Sequence, residues 1–116
     1  MTRTLLEQTG LGLTKLALQP ASGQVANSGA NTLLTPAPGR RLRVFYAAYN
    51  PLNDVMAYFR FGAAGSAWLR NDILAHAVIA KDFGDFRYLE GADDEALVLV
   101  LSAAVVTNWN CFYLEV

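Results

Sequence analysis

The sequence contains very few of the residues from which disulfides, metal sites and nucleophilic centres are usually built. Among its 116 residues there is one cysteine, Cys111, and one histidine, His76. A single cysteine cannot form an intrachain disulfide, so packing alone must hold the fold, as suits synthesis in a reducing cytoplasm. Metal sites gather several histidine, cysteine or carboxylate ligands at fixed spacings, and no such spacing occurs here. We therefore predict no metal and no cofactor.

A surplus of positive charge is also missing. Lys and Arg total 9 against 10 Asp and Glu, a formal net charge of −1, whereas non-specific nucleic-acid binding usually needs a basic surplus. The longest near-continuous apolar run, residues 96–106, is far shorter than the roughly 20 residues of a membrane-spanning helix. Glu7 and Gln8 interrupt the apolar start that a signal peptide would need. We expect a soluble chain with neither nucleic acid nor membrane as a partner.

The few residues that could carry catalysis lack supporting neighbours. A Cys111–His76 pair would supply a nucleophile and a base. However, Cys111 lies between Asn110 and Phe112 without a cation nearby in sequence, which indicates a buried, inert thiol. Ser66 lies outside any nucleophile-elbow pattern. The chain is therefore not predicted to be an enzyme.

The densest run of charge is acidic, at residues 93–95, and Glu90 precedes it. Carboxylates staggered around a glycine, here Gly91, are the kind of ligand that calcium prefers. The spacing matches known calcium loops only loosely, so a solvated loop is the better interpretation.

Short apolar runs separated by glycine and proline dominate the sequence from residue 31 onward. Residues 55–61 show the pattern most clearly, because every second residue is apolar and the intervening ones are mixed. Similar runs occur at residues 31–35, 41–49, 67–70, 96–103 and 106–116, while residues 73–83 are ambiguous. This pattern predicts an all-β fold: a single antiparallel β-sandwich, jelly-roll-like, of about eight short strands. The side chains predicted to be buried are Leu42, Val44, Phe59, Leu97, Leu99, Trp109 and Tyr113.

Residues 1–30 precede the sandwich domain, which is assigned to residues 31–116. They are rich in loop-forming residues yet contain six leucines, and only residues 11–18 resemble a strand. Two hypotheses remain open: an arm that packs against another chain by strand addition, or a first strand of the same sandwich. On the arm hypothesis the contact residues include Leu5, Leu6, Leu11 and Leu13.

The one basic cluster comprises Arg40, Arg41 and Arg43, which follow a proline-rich turn. Arg41 and Arg43 should point to one side of the strand, and Leu42 and Val44 to the other. Arginine pairs well with carboxylates at interfaces, so inter-subunit salt bridges are one interpretation. A solvated strand edge that deters aggregation is the other.

Several stretches together resemble the small β-sandwich virion proteins of tailed bacteriophages. These stretches are Thr35-Pro36-x-Pro38-Gly39-x-Arg41-Leu42-x-Val44, then Phe59-Arg60-Phe61-Gly62, then residues 95–104 beginning Glu-Ala-Leu, and the closing Tyr113-Leu114-Glu115. The resemblance implies a decoration or cement protein, made in the host cytoplasm and located on the capsid surface. Its implied partners are the major capsid protein and further copies of itself in a homotrimer. Such proteins have no catalytic residues to transfer.

Two alternatives belong to other functional classes. A tail or fibre structural protein would share the same sandwich. A carbohydrate-binding, lectin-like module would present aromatic rings on its surface as stacking platforms, and the sequence offers Trp68, Tyr49 and Tyr58 for that role.

Overall fold

The chain folds as β-strands without a helix in the residues that the structure describes. The computed structural model describes residues 4–9, 12–71, 78–83 and 87–116, with side chains from residue 18 onward. No helix in these ranges is long and apolar enough to cross a membrane. The eleven strands found there are β1 Thr4–Thr9, β2 Gly12–Ala17, β3 Gln19–Val25, β4 Gly29–Leu34, β5 Leu42–Pro51, β6 Ala57–Phe61, β7 Trp68–Asn71, β8 Ile79–Asp82, β9 Leu89–Glu90, β10 Leu97–Leu101 and β11 Thr107–Glu115.

Two antiparallel sheets pack face to face, which confirms the predicted β-sandwich. The four-stranded sheet has the order β4-β10-β6-β7. The five-stranded sheet has the order β3-β11-β5-β8, and the short β9 pairs with the other end of β5. The long strands β5 and β11 form its centre, and β6 and β7 of the four-stranded sheet pair as an antiparallel hairpin.

The core lies between the inner faces of the two sheets. Along β6 every second side chain, from Val55 to Phe61, is buried, as the alternation predicts. Of the seven side chains predicted to be buried, six are, and Tyr113 is half-buried against the core. Burying a large apolar side chain contributes roughly 1.5–3 kcal/mol, so these residues can stabilise a domain without disulfides.

A β-bulge at Phe45 changes which residues of β5 face the core. Phe112 pairs with Tyr46 and Tyr113 with Val44, so Phe45 has no residue opposite it on β11. Such a bulge shifts the inward–outward alternation by one residue. Leu42 and Val44 therefore face the core before the bulge, and Ala47 and Tyr49 face it afterwards.

The bulge also places an aromatic ring on the outer side of the five-stranded sheet. There Phe45 and Leu18 are only 2% and 1% exposed and form a second apolar cluster with Phe112 and Leu114. The ring of Tyr88 packs on Phe45, with centroids 5.2 Å apart. This group, called the second cluster below, ties residue 18, where the chain leaves β2, to the sandwich.

The N-terminal hairpin is a separate two-stranded sheet. β1 and β2 pair with each other from Thr4↔Ala17 to Thr9↔Gly12, and neither strand pairs with a strand of the sandwich. The strand predicted near residues 11–18 corresponds to β2. The predicted boundary at residue 30 falls inside β4, because β3 and the start of β4 already belong to the sandwich.

Three strands lie where the sequence predicts none, β1, β3 and β9, and they raise the count from about eight to eleven. Residues 19–23 contain the turn-forming Pro20 and Gly23, but they lie in β3. Proline is tolerated there because β3 is an edge strand. Glu90 lies in the two-residue strand β9, which pairs with Arg43 and Val44. The ambiguous residues 73–83 contain β8 at their C-terminal end, and residues 73–77 lie outside the described ranges.

Candidate interaction surfaces

Arg41 and Arg43 form ion pairs within their own chain. Arg41 reaches Glu90 at 3.0 Å and Asp93 at 2.9 Å, and Arg43 donates from Nε to the other oxygen of Glu90. Strand pairing between β5 and β9 sets this geometry, because Glu90 lies directly opposite Arg43. We call this group, with the turn and loop that carry it, the arginine corner. As predicted, its arginines lie on the side of β5 away from the buried Leu42 and Val44.

Backbone hydrogen bonds fix the arginine corner from three sides. The Gly39 N–H donates to Asp94 Oδ1 at 2.6 Å, and the Asp94 N–H donates to the Arg40 carbonyl at 2.8 Å. Arg41 and Val116 exchange two backbone hydrogen bonds of 2.9 Å, which closes the end of β11 against the turn. Gly39 has φ +78°, a conformation that glycine adopts without the usual penalty.

The ion pairs shift the pKa values of Glu90 and Arg41. Hydrogen bonds from Arg43 and Arg41 lower the pKa of Glu90 below its ordinary value, and those to Glu90 and Asp93 raise the pKa of Arg41. All four side chains remain partly exposed, so water screens the attraction. The corner is thus a solvated charge network that orders the turn.

The residues predicted to form a partner interface differ from one another in their surroundings. Arg41 and Arg43 are engaged within the chain, whereas Arg40 is exposed. Leu5, Leu6 and Leu13 lie on β1 and β2, whose side chains are outside the described part, and Leu11 is outside it altogether. The interface assignment therefore stays a prediction for all seven residues.

The acidic loop after β9 uses its oxygens for protein contacts. Glu90 and Asp93 accept from arginines, Asp94 accepts from Gly39, and Glu95 Oε1 accepts from the Ala92 N–H at 2.7 Å. Among the described residues, no group of three or more histidine, cysteine or acidic side chains has the arrangement of a metal site. The loop thus binds the neighbouring turn.

Cys111 is buried in β11, as predicted. Burial raises the pKa of its thiol to about 12, so the thiol stays protonated at neutral pH and is a poor nucleophile. His76, its predicted potential base, lies outside the described residues.

The aromatic platform proposed for a lectin-like module is wrong at Tyr49. This side chain is 1% exposed, and its hydroxyl lies 2.9 Å from the Leu69 carbonyl oxygen, inside the sandwich. The bulge at Phe45 is the cause, because regular alternation from Val44 would have turned Tyr49 outward. Trp68 stacks on Phe59 with ring centroids 4.8 Å apart. Tyr58, in the same four-stranded sheet as Trp68, packs under Arg70.

A shallow trough runs across the outer face of the five-stranded sheet. Its larger part, about 820 Å³, is lined by β3, β5, β8 and β11 and includes the rings of Tyr46 and Phe112. A smaller part of about 370 Å³ continues past Asn110 toward Asn108 and Asn50. The sequence does not indicate this surface, because the segment that forms β3 is rich in turn-forming residues and no local pattern signals the bulge at Phe45.

Sequence comparison yields no relative from which a role could be transferred: no protein-family model and no curated protein matches the chain.

Proposed function

We propose that this chain is a structural virion protein of a tailed bacteriophage, a decoration or cement protein that bridges capsomers on the outside of the head. Its resemblance to such proteins gives the class, and the β-sandwich is compatible with it. The observation that carries the proposal is the N-terminal hairpin, which is paired with neither sandwich sheet.

A two-stranded hairpin is marginally stable at best by itself in water. In a hairpin surrounded by water, the leucines of β1 and β2 would leave apolar surface exposed. Because burial of that surface is favourable, we expect them to pack on another chain. Strand addition to a neighbouring subunit would also satisfy the free backbone groups along the outer edges of the hairpin. The hairpin is therefore the proposed attachment element, and the sandwich is the body that it fastens.

Repetition would supply the strength of attachment. Each copy contributes a modest interface, and several copies joined in one assembly bind far more tightly than one alone. A homotrimer suits junctions of threefold or quasi-threefold symmetry between capsomers, and a closed ring of identical contacts limits further growth. In solution we expect a mass by light scattering of three times the 12.6 kDa of one chain.

Sedimentation with phage heads tests the proposal. The heads should be assembled from the major capsid protein encoded beside the gene of this chain. The full chain should sediment with them, and a variant lacking residues 1–10, which include β1, should stay in the supernatant while keeping its β-sheet circular dichroism spectrum and melting temperature. A full chain that stays in the supernatant would refute the decoration role. A deletion variant that unfolds would show that the segment belongs to the core.

A further inference from the structure

We propose that the trough on the five-stranded sheet is a binding site for neutral oligosaccharides. The site lies on the sandwich itself, on described side chains, and does not depend on the decoration role. It also differs from the Trp68, Tyr49 and Tyr58 platform, of which Tyr49 is buried in the core.

Strand register arranges the trough in parallel rows across four strands. Residues directly opposite one another on neighbouring strands share a face of the sheet. An aromatic row therefore adjoins a row of small and polar side chains, and an amide row follows. The rows are Pro20–Phe112–Tyr46–Asp82, Ser22–Asn110–Ala48–Ala80 and Gln24–Asn108–Asn50.

The aromatic row offers an apolar ledge. Tyr46 and Phe112 are half-buried, with ring centroids 5.9 Å apart and planes inclined by 55°. Phe112 also packs in the second cluster, which fixes the position of its ring. Rings fixed in this way keep an apolar surface in place without further ordering on binding, and the C–H faces of pyranose rings are suited to pack on them.

The asparagine and glutamine side chains of the second and third rows offer neutral hydrogen-bonding groups. The side-chain nitrogen of Gln24 donates to Oδ1 of Asn108 at 2.9 Å, which orients both side-chain amides. The Nδ2 atom of Asn108 and the Oε1 atom of Gln24 are left for a ligand. Asn110 lies one row nearer the aromatic ledge, in the lining of both parts of the trough. Sugar hydroxyls both donate and accept, and amides have the matching capacity.

Charge and shape favour a sugar over a protein segment. Asp82 is the only charged side chain among the described residues that line the trough, so an ionic ligand finds few partners. Large apolar side chains from another protein would meet Ala48, Ala80 and Ser22, which form no deep apolar pocket. The trough is open and elongated, and its larger part falls within the usual volume range of ligand sites, about 300–1,000 Å³.

Binding can be measured with the full chain on an array of neutral hexasaccharides of glucose, mannose, galactose and N-acetylglucosamine, and by calorimetry on any sugar that binds. Tyr46→Ala should weaken binding by about tenfold, because it removes half of the ledge. Ser22→Arg should abolish binding by placing a long cation across the exposed wall of the trough. Its matched control is Thr32→Arg, at an exposed position of the edge strand β4 in the other sheet, which should bind as the unaltered chain does.

Several results would overturn the proposal. Among them are a chain that binds none of the four neutral sugars, one that binds only charged glycans, and binding that survives Ser22→Arg. Light scattering on the same variants covers the alternative of a protein interface. If Ser22→Arg reduces the oligomer to a monomer and no sugar binds, the trough is a contact between copies.

Discussion

The arginine corner and the N-terminal hairpin both contain residues predicted to meet a partner, yet they are built in opposite ways. In the corner, Arg41 and Arg43 reach carboxylates 47 to 52 residues away in the same chain, and the loop and the turn hold one another. In the hairpin, β1 pairs with β2 and with no other strand among the described residues. A cluster of like charges in the sequence can thus be satisfied within the chain, whereas the proposed attachment of the hairpin requires a surface on another chain.

The largest effect expected from one substitution lies where the hairpin joins the sandwich. Leu18 is 1% exposed in the second cluster, so Leu18→Ala removes a packed side chain and leaves a cavity. The free energy of unfolding should fall by about 2–5 kcal/mol, measured by chemical denaturation.

Leu5→Ala, in β1, is the matched control for Leu18→Ala. Since β1 pairs only with β2, the free energy of unfolding of the isolated chain should change by no more than about 0.5 kcal/mol. An equal loss of unfolding free energy in Leu5→Ala and Leu18→Ala would contradict the expected difference between hairpin and sandwich, because the hairpin would then be part of the folded core.

A smaller effect is expected inside the arginine corner. A Cβ atom added to Gly91 would lie 2.8 Å from the Phe61 ring, and Phe61 belongs to the core. Gly91→Ala should therefore reduce the free energy of unfolding by about 1–3 kcal/mol through overpacking. Ala92→Ser, at the exposed neighbouring position, should leave stability nearly unchanged. A stable Gly91→Ala variant would mean that the loop moves without cost.

The smallest effect concerns the charges themselves. Because Arg43 and Arg41 lower the pKa of Glu90, this carboxylate stabilises the fold above its ordinary pKa of 4.5. The contribution is lost as the pH falls below that value through the lowered pKa of the folded state. Glu90→Gln should destabilise the protein at neutral pH by less than Gly91→Ala does, and the difference from the unaltered chain should shrink as the pH falls below 4.5 and in about 1 M salt. A difference that is constant with pH would show that charge plays no part.

Local alternation predicted the parts of the fold that regular strands determine. Phe59 is buried because apolar side chains recur at every second position of β6, which is the period of a half-buried strand, and Leu99 is buried in β10, which is apolar at every position. β3 was missed because Pro20, Ser22 and Gly23 are common in turns. The structure explains Gly23 through packing, since a Cβ atom there would lie 3.1 Å from the Trp109 indole nitrogen across the sheet.

The surfaces depended on contacts that no local pattern contains. Arg41 and Asp93 are separated by 52 residues, and the pairing of β5 with β9 and the hydrogen bonds between turn and loop bring them together. The trough needs three strand registers and one bulge to align Pro20, Phe112, Tyr46 and Asp82. A single sequence shows which residues are apolar, but the exposed face of a sheet follows only when every register is known.

The bulge at Phe45 has a consequence for how such a chain can change over time. Without Phe45, the neighbouring residues of β5 would still alternate correctly, with Tyr46 outward and Ala47 and Tyr49 inward. Phe45 is therefore equivalent to a one-residue insertion that leaves the core-facing residues of β5 unchanged. Its side chain provides much of the apolar layer on the outside of the sheet. A sandwich of this kind can acquire or lose an anchorage for its N-terminal segment through one codon, while the residues that determine its folding stay as they were.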